Sequence, residues 1–183
     1  MDPAAQPPPV AEPAASSRPA WWRRVLYGGR PRRTLFRLAL EVALVVFIFK
    51  AVLIPVRISG ISMLPSFQDG KINFLWRLAF TRQPLQRGDV VGIRYAGERV
   101  MLLKRIIGLP GETLKIEEGT VFIGGAPLEE PYVKLPRARW NVPVIRLTDR
   151  EYFVIGDNRS MGDRLHEFGA VEAARIVGKV WFQ

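Results

Sequence analysis

An apolar run of nineteen residues, LALEVALVVFIFKAVLIPV at 38–56, limits what this chain can fold into more than any other stretch. As a helix rising about 1.5 Å per residue it is about 28 Å long, just enough to cross a bilayer. Two charges interrupt it. Glu41 lies one turn from the start, and Lys50 reaches toward the far interface on a long apolar stem, so neither has to sit at the bilayer centre, where a charge is costly. Pro55 ends the helix, because its nitrogen carries no hydrogen to donate. A buried helix of a soluble domain is the competing reading. A cleaved leader fits less well, since the run begins late and no small-x-small site follows it closely.

What precedes the run gives it a direction. Arg23, Arg24, Arg30, Arg32, Arg33 and Arg37 fall within 21–37 without one acidic residue, which is the positive-inside pattern of a membrane anchor. Trp21 and Trp22 suit the headgroup level, where one edge of an indole is wet. Residues 1–20 hold six prolines and six alanines and cannot bury enough apolar surface to offset ordering. The expected plan is a disordered Pro/Ala-rich tail at 1–20, a basic cytoplasmic segment at 21–37, a transmembrane helix at 38–56 and an extracytoplasmic domain at 57–183. Such a chain is a single-pass protein of the cell membrane, with the lipid bilayer as a partner.

The net charge of +10 raises nucleic acid as a rival partner. Residues 1–56 carry 8 basic and 3 acidic side chains and residues 57–183 carry 19 and 14, so each part has a net +5. Half of the excess thus sits in the short amino-terminal part, and no zinc-finger, helix-turn-helix or RNA-recognition signature accompanies it, so no nucleic-acid partner is expected. The chain has no cysteine and one histidine, His166, which excludes disulfides, thiolate metal sites and histidine-rich metal sites.

Beyond residue 57 the texture changes to short apolar runs separated by Gly, Pro and Asp. Stretches 89–95, 112–116, 119–123, 142–147, 152–155 and 176–182 read as strands, so the domain is expected to be mainly β. The aromatic-rich stretch 71–80 fits two readings, a core segment or an apolar face touching lipid beside the anchor.

Ser62, in Ser59-Gly60-Ile61-Ser62-Met63-Leu64-Pro65-Ser66, is the candidate nucleophile. A serine hydroxyl needs a base to take its proton. Either His166 completes a Ser-His arrangement or a lysine acts as base. His166 needs a carboxylate to orient it, and Glu167, its sequence neighbour, is poorly directed for that. Lys104 sits among apolar neighbours, and burial disfavours the ammonium form. A lysine that merely snorkels out of a strand is the blander alternative.

Four strings in register bear on that choice: Gly60-Ile61-Ser62-Met63-Leu64-Pro65-Ser66, Arg87-Gly88-Asp89-Val90-Val91, Lys104-Arg105-Ile106-Ile107-Gly108-Leu109-Pro110-Gly111-Glu112, and Gly156-Asp157-Asn158-Arg159. Together they resemble bacterial type I signal peptidase, the Ser-Lys leader peptidase family. The likeness extends over Leu128-Glu129-Glu130-Pro131-Tyr132 and Ile176-Val177-Gly178-Lys179. It implies an antiparallel β-sheet catalytic domain after one transmembrane helix, and a serine endopeptidase that removes signal peptides from secretory preproteins after small residues at −3 and −1. By the same likeness Ser62 attacks, Lys104 is the general base, the Ser62 N–H helps bind the oxyanion, and no metal or cofactor is needed. Gly60 permits close backbone approach there. Ile58, Met63, Leu102 and Leu103 match positions that line shallow apolar pockets. Arg105, Asp157, Asn158, Arg159 and Asp163 support the site.

The sequence departs from the pattern in two places. A serine hydroxyl that some relatives carry at the position of Gly60 is missing. Gly162 stands where a serine usually bonds the catalytic lysine, so that support is absent, and Ser160 or a locally shifted Asp163-Arg164 are the candidates to replace it. Two rivals stay open: a soluble self-cleaving repressor-type peptidase, and a membrane-anchored peptide-binding protein of the same fold with weak or no catalysis.

Overall fold

The computed structural model describes residues 31–80, 83–94, 101–162 and 168–181. The expectations for the tail at 1–20, for Trp21, Trp22 and the arginines before residue 31, and for Asp163, Arg164, His166 and Glu167 lie outside the described residues. The chain divides into two compact units, residues 1–44 and 45–183.

An α-helix, α1, spans Pro31–Phe47 and continues as one π-helical turn at Ile48–Val52. Proline at the first helical position suits a helix start, where its missing N–H has no intrahelical partner anyway. Among the described residues no helix is long and apolar enough to cross a membrane. The expected helix over 38–56 is therefore corrected at both ends: it starts earlier, and residues from 53 onward are a strand. Leu53–Arg57 forms β1, in register with β2 (Ile72–Trp76) from Leu53 opposite Trp76 to Arg57 opposite Ile72. Strand pairing and the β-branched Ile54 and Val56 win over helical continuation. Pro55 is tolerated because β1 is an edge strand, where a missing donor does the least harm.

The other strands among the described residues are β3 (Val90–Arg94), β4 (Met101–Gly108), β5 (Thr113–Glu117), β6 (Thr120–Ile123), β7 (Ala126–Pro127), β8 (Val142–Arg146), β9 (Glu151–Ile155), β10 (Gly169–Glu172) and β11 (Ile176–Val180). They form a seven-stranded sheet in the order β1-β2-β11-β3-β4-β9-β10 and a four-stranded sheet in the order β7-β6-β5-β8. Every pairing is antiparallel, so the fold is mainly antiparallel β. All six expected strands are present with ends shifted by a residue or two. β1, β2, β4, β7 and β10 are additional.

Alternation along the strands builds the core on both faces of the large sheet. Val90 packs with Ile58, Met63, Phe67, Leu75 and Val180, whereas its neighbour Val91 packs with Ile93, Ile106, Val154 and Ile176. A third cluster joins Ile107, Phe153 and Ile155 to Leu114, Ile116 and Val121 of the smaller sheet. In the stretch 71–80 Leu75 is fully buried, as the core reading expects, while Ile72 and Leu78 are 67% and 43% exposed.

Candidate active site

Ser62 lies in a turn at 62–66 between β1 and β2, half-buried, with the next residue, Met63, anchored in the core. Gly60 precedes it with φ +101°, a left-handed conformation that disfavours any side chain, and its N–H donates to Asp69 Oδ1 at 2.8 Å. A Cβ at Gly60 would meet nothing within 4 Å, so within the chain the demand for glycine comes from the turn and not from crowding.

The turn is clasped from the loop after β9. Asn158 donates its backbone N–H to Ser62 O at 3.0 Å and its side-chain amide to Ile61 O at 3.0 Å. Asp157, fully buried, accepts from Ser66 Oγ at 2.5 Å. The same carboxylate takes both arms of Arg105, Nε at 2.8 Å and Nη2 at 2.6 Å, a bidentate, charge-assisted pair that fixes orientation as well as distance. Arg105 also donates to Gly88 O at 2.5 Å and lies 4.2 Å from the centre of the Tyr132 ring. One dipeptide thus ties the serine turn to β4.

Lys104 is the residue before Arg105 on that strand, opposite Val91 of β3, and is 3% exposed. Successive strand residues point to opposite faces, and here both cations are buried. The Arg105 guanidinium is paired with the Asp157 carboxylate.

Ile58, Met63, Leu102 and Leu103 border one cavity together with Ser62. Ile58 and Met63 are core residues, whereas Leu102 and Leu103 are half-buried. Arg159 does not reach the serine turn through any bond found here; it faces Glu130, binding it with Nη1 at 3.0 Å and with Nη2. Glu130 also accepts from Arg137 at 2.7 Å and from Tyr132 Oη at 2.9 Å. Burial alone would raise the Glu130 carboxyl, but Arg159, with the bonds from Arg137 and Tyr132, holds it below the usual carboxylate range. Burial and that carboxylate push the Tyr132 phenol well above its usual range.

Ser66, Glu130, Tyr132 and Arg137 are supports that sequence reasoning did not assign. Glu130 and Tyr132 lie inside a matched string, but Arg159 and Arg105, which they meet, come from outside it. Ser160 donates to Asn158 Oδ1 at 2.6 Å and is exposed. Gly162 is exposed, with nothing within 4 Å of a Cβ placed there.

A serine in a clasped turn, a buried lysine on the strand tied to it and a small apolar cavity suit acyl transfer on a peptide. The family and sequence comparisons agree. A family model described as signal peptidase, peptidase S26, matches residues 32–183. The probable signal peptidase I-1 of Synechocystis sp. is 31% identical over 158 residues, covering 81% of this chain and 79% of the relative. Signal peptidase I of Bacillus licheniformis is 31% identical over 138 residues, covering 70% and 74%. A crystal structure of a signal peptidase I from Enterococcus faecalis superposes with a TM-score of 0.44 at 27% identity, covering 53% of this chain and 97% of the other. This chain belongs to the signal peptidase family, peptidase S26.

Proposed function

We propose that the chain removes signal peptides from exported preproteins, with Ser62 as the nucleophile and Lys104 as the general base. As a member of its family it is a serine peptidase. The observation that carries the residue assignment is the clasp: Asp157 and Asn158 hold the Ser62 turn and, through Arg105, the strand that bears buried Lys104.

In the proposed reaction the neutral Lys104 amine takes the Ser62 proton as Oγ attacks the scissile carbonyl carbon. The oxyanion that forms accepts from the Ser62 backbone N–H. When the tetrahedral intermediate collapses, the C–N bond breaks and the Lys104 ammonium returns a proton to the leaving amine. A water, deprotonated by the same amine, then hydrolyses the acyl ester and frees Ser62. Small side chains at −1 and −3 enter the cavity bordered by Ile58, Met63, Leu102 and Leu103, and Leu-sized ones are rejected on volume.

Placement of the site at the outer face of the cell membrane belongs to this reading. It is supported by the arginines at 23–37 and by α1, whose Leu35, Leu38, Leu40 and Leu44 side chains are all more than half exposed and demand an apolar surrounding. The expected anchor is the apolar segment beginning near residue 38, with the tail and basic segment in the cytoplasm and the β domain outside.

The test is cleavage of a purified preprotein by the full chain in detergent. Wild type is expected to cut after the small-x-small site, and Ser62→Ala and Lys104→Ala to lose all detectable cleavage while His166→Ala keeps it. Activity should rise with pH, because the proposed base acts as a neutral amine. An intact wild type that binds the signal peptide without cutting it would move the reading to a peptide-binding protein.

A further inference from the structure

Leu75, on β2, lies across two glycines. Gly92 of β3 and Gly178 of β11 stand opposite each other in the sheet. A Cβ on Gly92 would fall 2.2 Å from Leu75 Cδ1, and a Cβ on Gly178 would fall 3.1 Å from Leu75 Cβ. Real Cβ atoms do not approach other heavy atoms as closely as 2.2 Å, so the end of the Leu75 side chain fills the space that a side chain at 92 would otherwise occupy. Leu75 and Gly92 both border the cavity that contains Ser62, Met63 and Leu103, and Leu75 is fully covered. Leu75 therefore lies over one face of the sheet, in the space that the paired glycines leave free.

We infer that Leu75 is a specificity-determining residue: lying over Gly92, it sets the depth of the cavity beside Ser62 and with it the largest substrate side chain admitted next to the scissile bond. The inference rests on the peptidase reading above and adds to it the residue that limits the pocket. Met63 and Leu103 bound the cavity from the serine turn and from β4, whereas Leu75 reaches it from a strand with no other part in the site. An apolar pocket discriminates by volume, and one methylene group is worth about 10–200-fold in kcat/KM.

The experiment uses the full chain in detergent and a panel of preproteins carrying Ala, Val or Leu at −1 or at −3, one position at a time. The readout is the ratio of kcat/KM for the larger residue to that for Ala. Leu75→Ala is expected to raise the Leu-to-Ala ratio about 10-fold or more at one of the two positions. Adding Gly92→Ala to Leu75→Ala refills the space and should bring the ratio back toward wild type, a result that general loosening of the core does not give. Leu114→Ala, in the core of the smaller sheet, is the control and should leave the ratio unchanged. If Leu75→Ala does not fold, Leu75→Val carries the test through its Val-to-Ala ratio. A wild-type ratio at both positions in a folded, active variant overturns the inference and leaves the peptidase reading standing. An equal rise in the Leu114→Ala control overturns it as well. A wild type that cleaves none of the panel overturns both.

Discussion

The two sides of the Ser62 turn are built on opposite principles. On one side the buried Asp157 and Asn158 hold it with directed hydrogen bonds, and Arg105 fixes Asp157 by a charge-assisted pair. On the other, Ile58, Met63, Leu75 and Leu103 bound a cavity by volume alone. Hydrogen bonds fix a geometry to within a few tenths of an ångström and lapse when a partner is lost, whereas apolar packing sets how much room remains and tolerates exchange of equal volumes. Position is therefore assigned to the polar side and size selection to the apolar side.

The largest effect that can break this division is expected from Asp157→Ala. It strands the Arg105 guanidinium in the interior and releases Ser66, and removing one partner of a buried pair costs about 3–5 kcal/mol. Chemical denaturation should show that loss, and kcat should fall by a similar factor for Ala and Val substrates. A change in the size ratio instead would show that the clasp also shapes the cavity.

Glu130→Gln comes next. The variant keeps an acceptor for one guanidinium but removes the charge facing Arg159, and about 2 kcal/mol of stability at neutral pH is expected to go. The sign with pH follows from the lowered folded-state value: the Glu130 contribution is fully present above its ordinary value of 4.5 and is lost as pH falls through the lower folded value. Acid titration of the denaturation midpoint should therefore be shallower in Glu130→Gln than in wild type. Equal slopes would mean that another carboxylate governs the acid limb.

The smallest effect is expected from Gly162→Ser. A Cβ there meets open space, so stability should change by no more than about 0.5 kcal/mol. If the new hydroxyl reaches Lys104, one added hydrogen bond raises kcat by up to about tenfold. An unchanged kcat would mean that the lysine is already held in this chain.

Much of this was legible in the sequence, and what was not had a physical reason. Strands at 90–94, 113–117, 120–123, 142–146, 151–155 and 176–180 announce themselves through apolar runs cut by turn residues. β1 did not, because a continuous apolar run gives no period, and Leu53 to Val56 look like more of the helix until the partner strand is known. The matched strings brought out Ser62, Lys104 and Asp157-Asn158. The bond from Ser66 to Asp157 spans 91 residues and that from Glu130 to Arg159 spans 29, and neither leaves a local trace. Leu75 was invisible as a site residue for a simpler reason: an apolar residue in a strand reads as core, and only its contact with Gly92 gives it a second meaning.

That contact also orders the history open to the sheet. A side chain acquired at 92 while residue 75 is leucine has to push the end of that leucine aside, whereas one acquired after residue 75 has shrunk does not. Among descendants of such a chain, a bulky residue at 92 is expected to go with a residue smaller than leucine at 75.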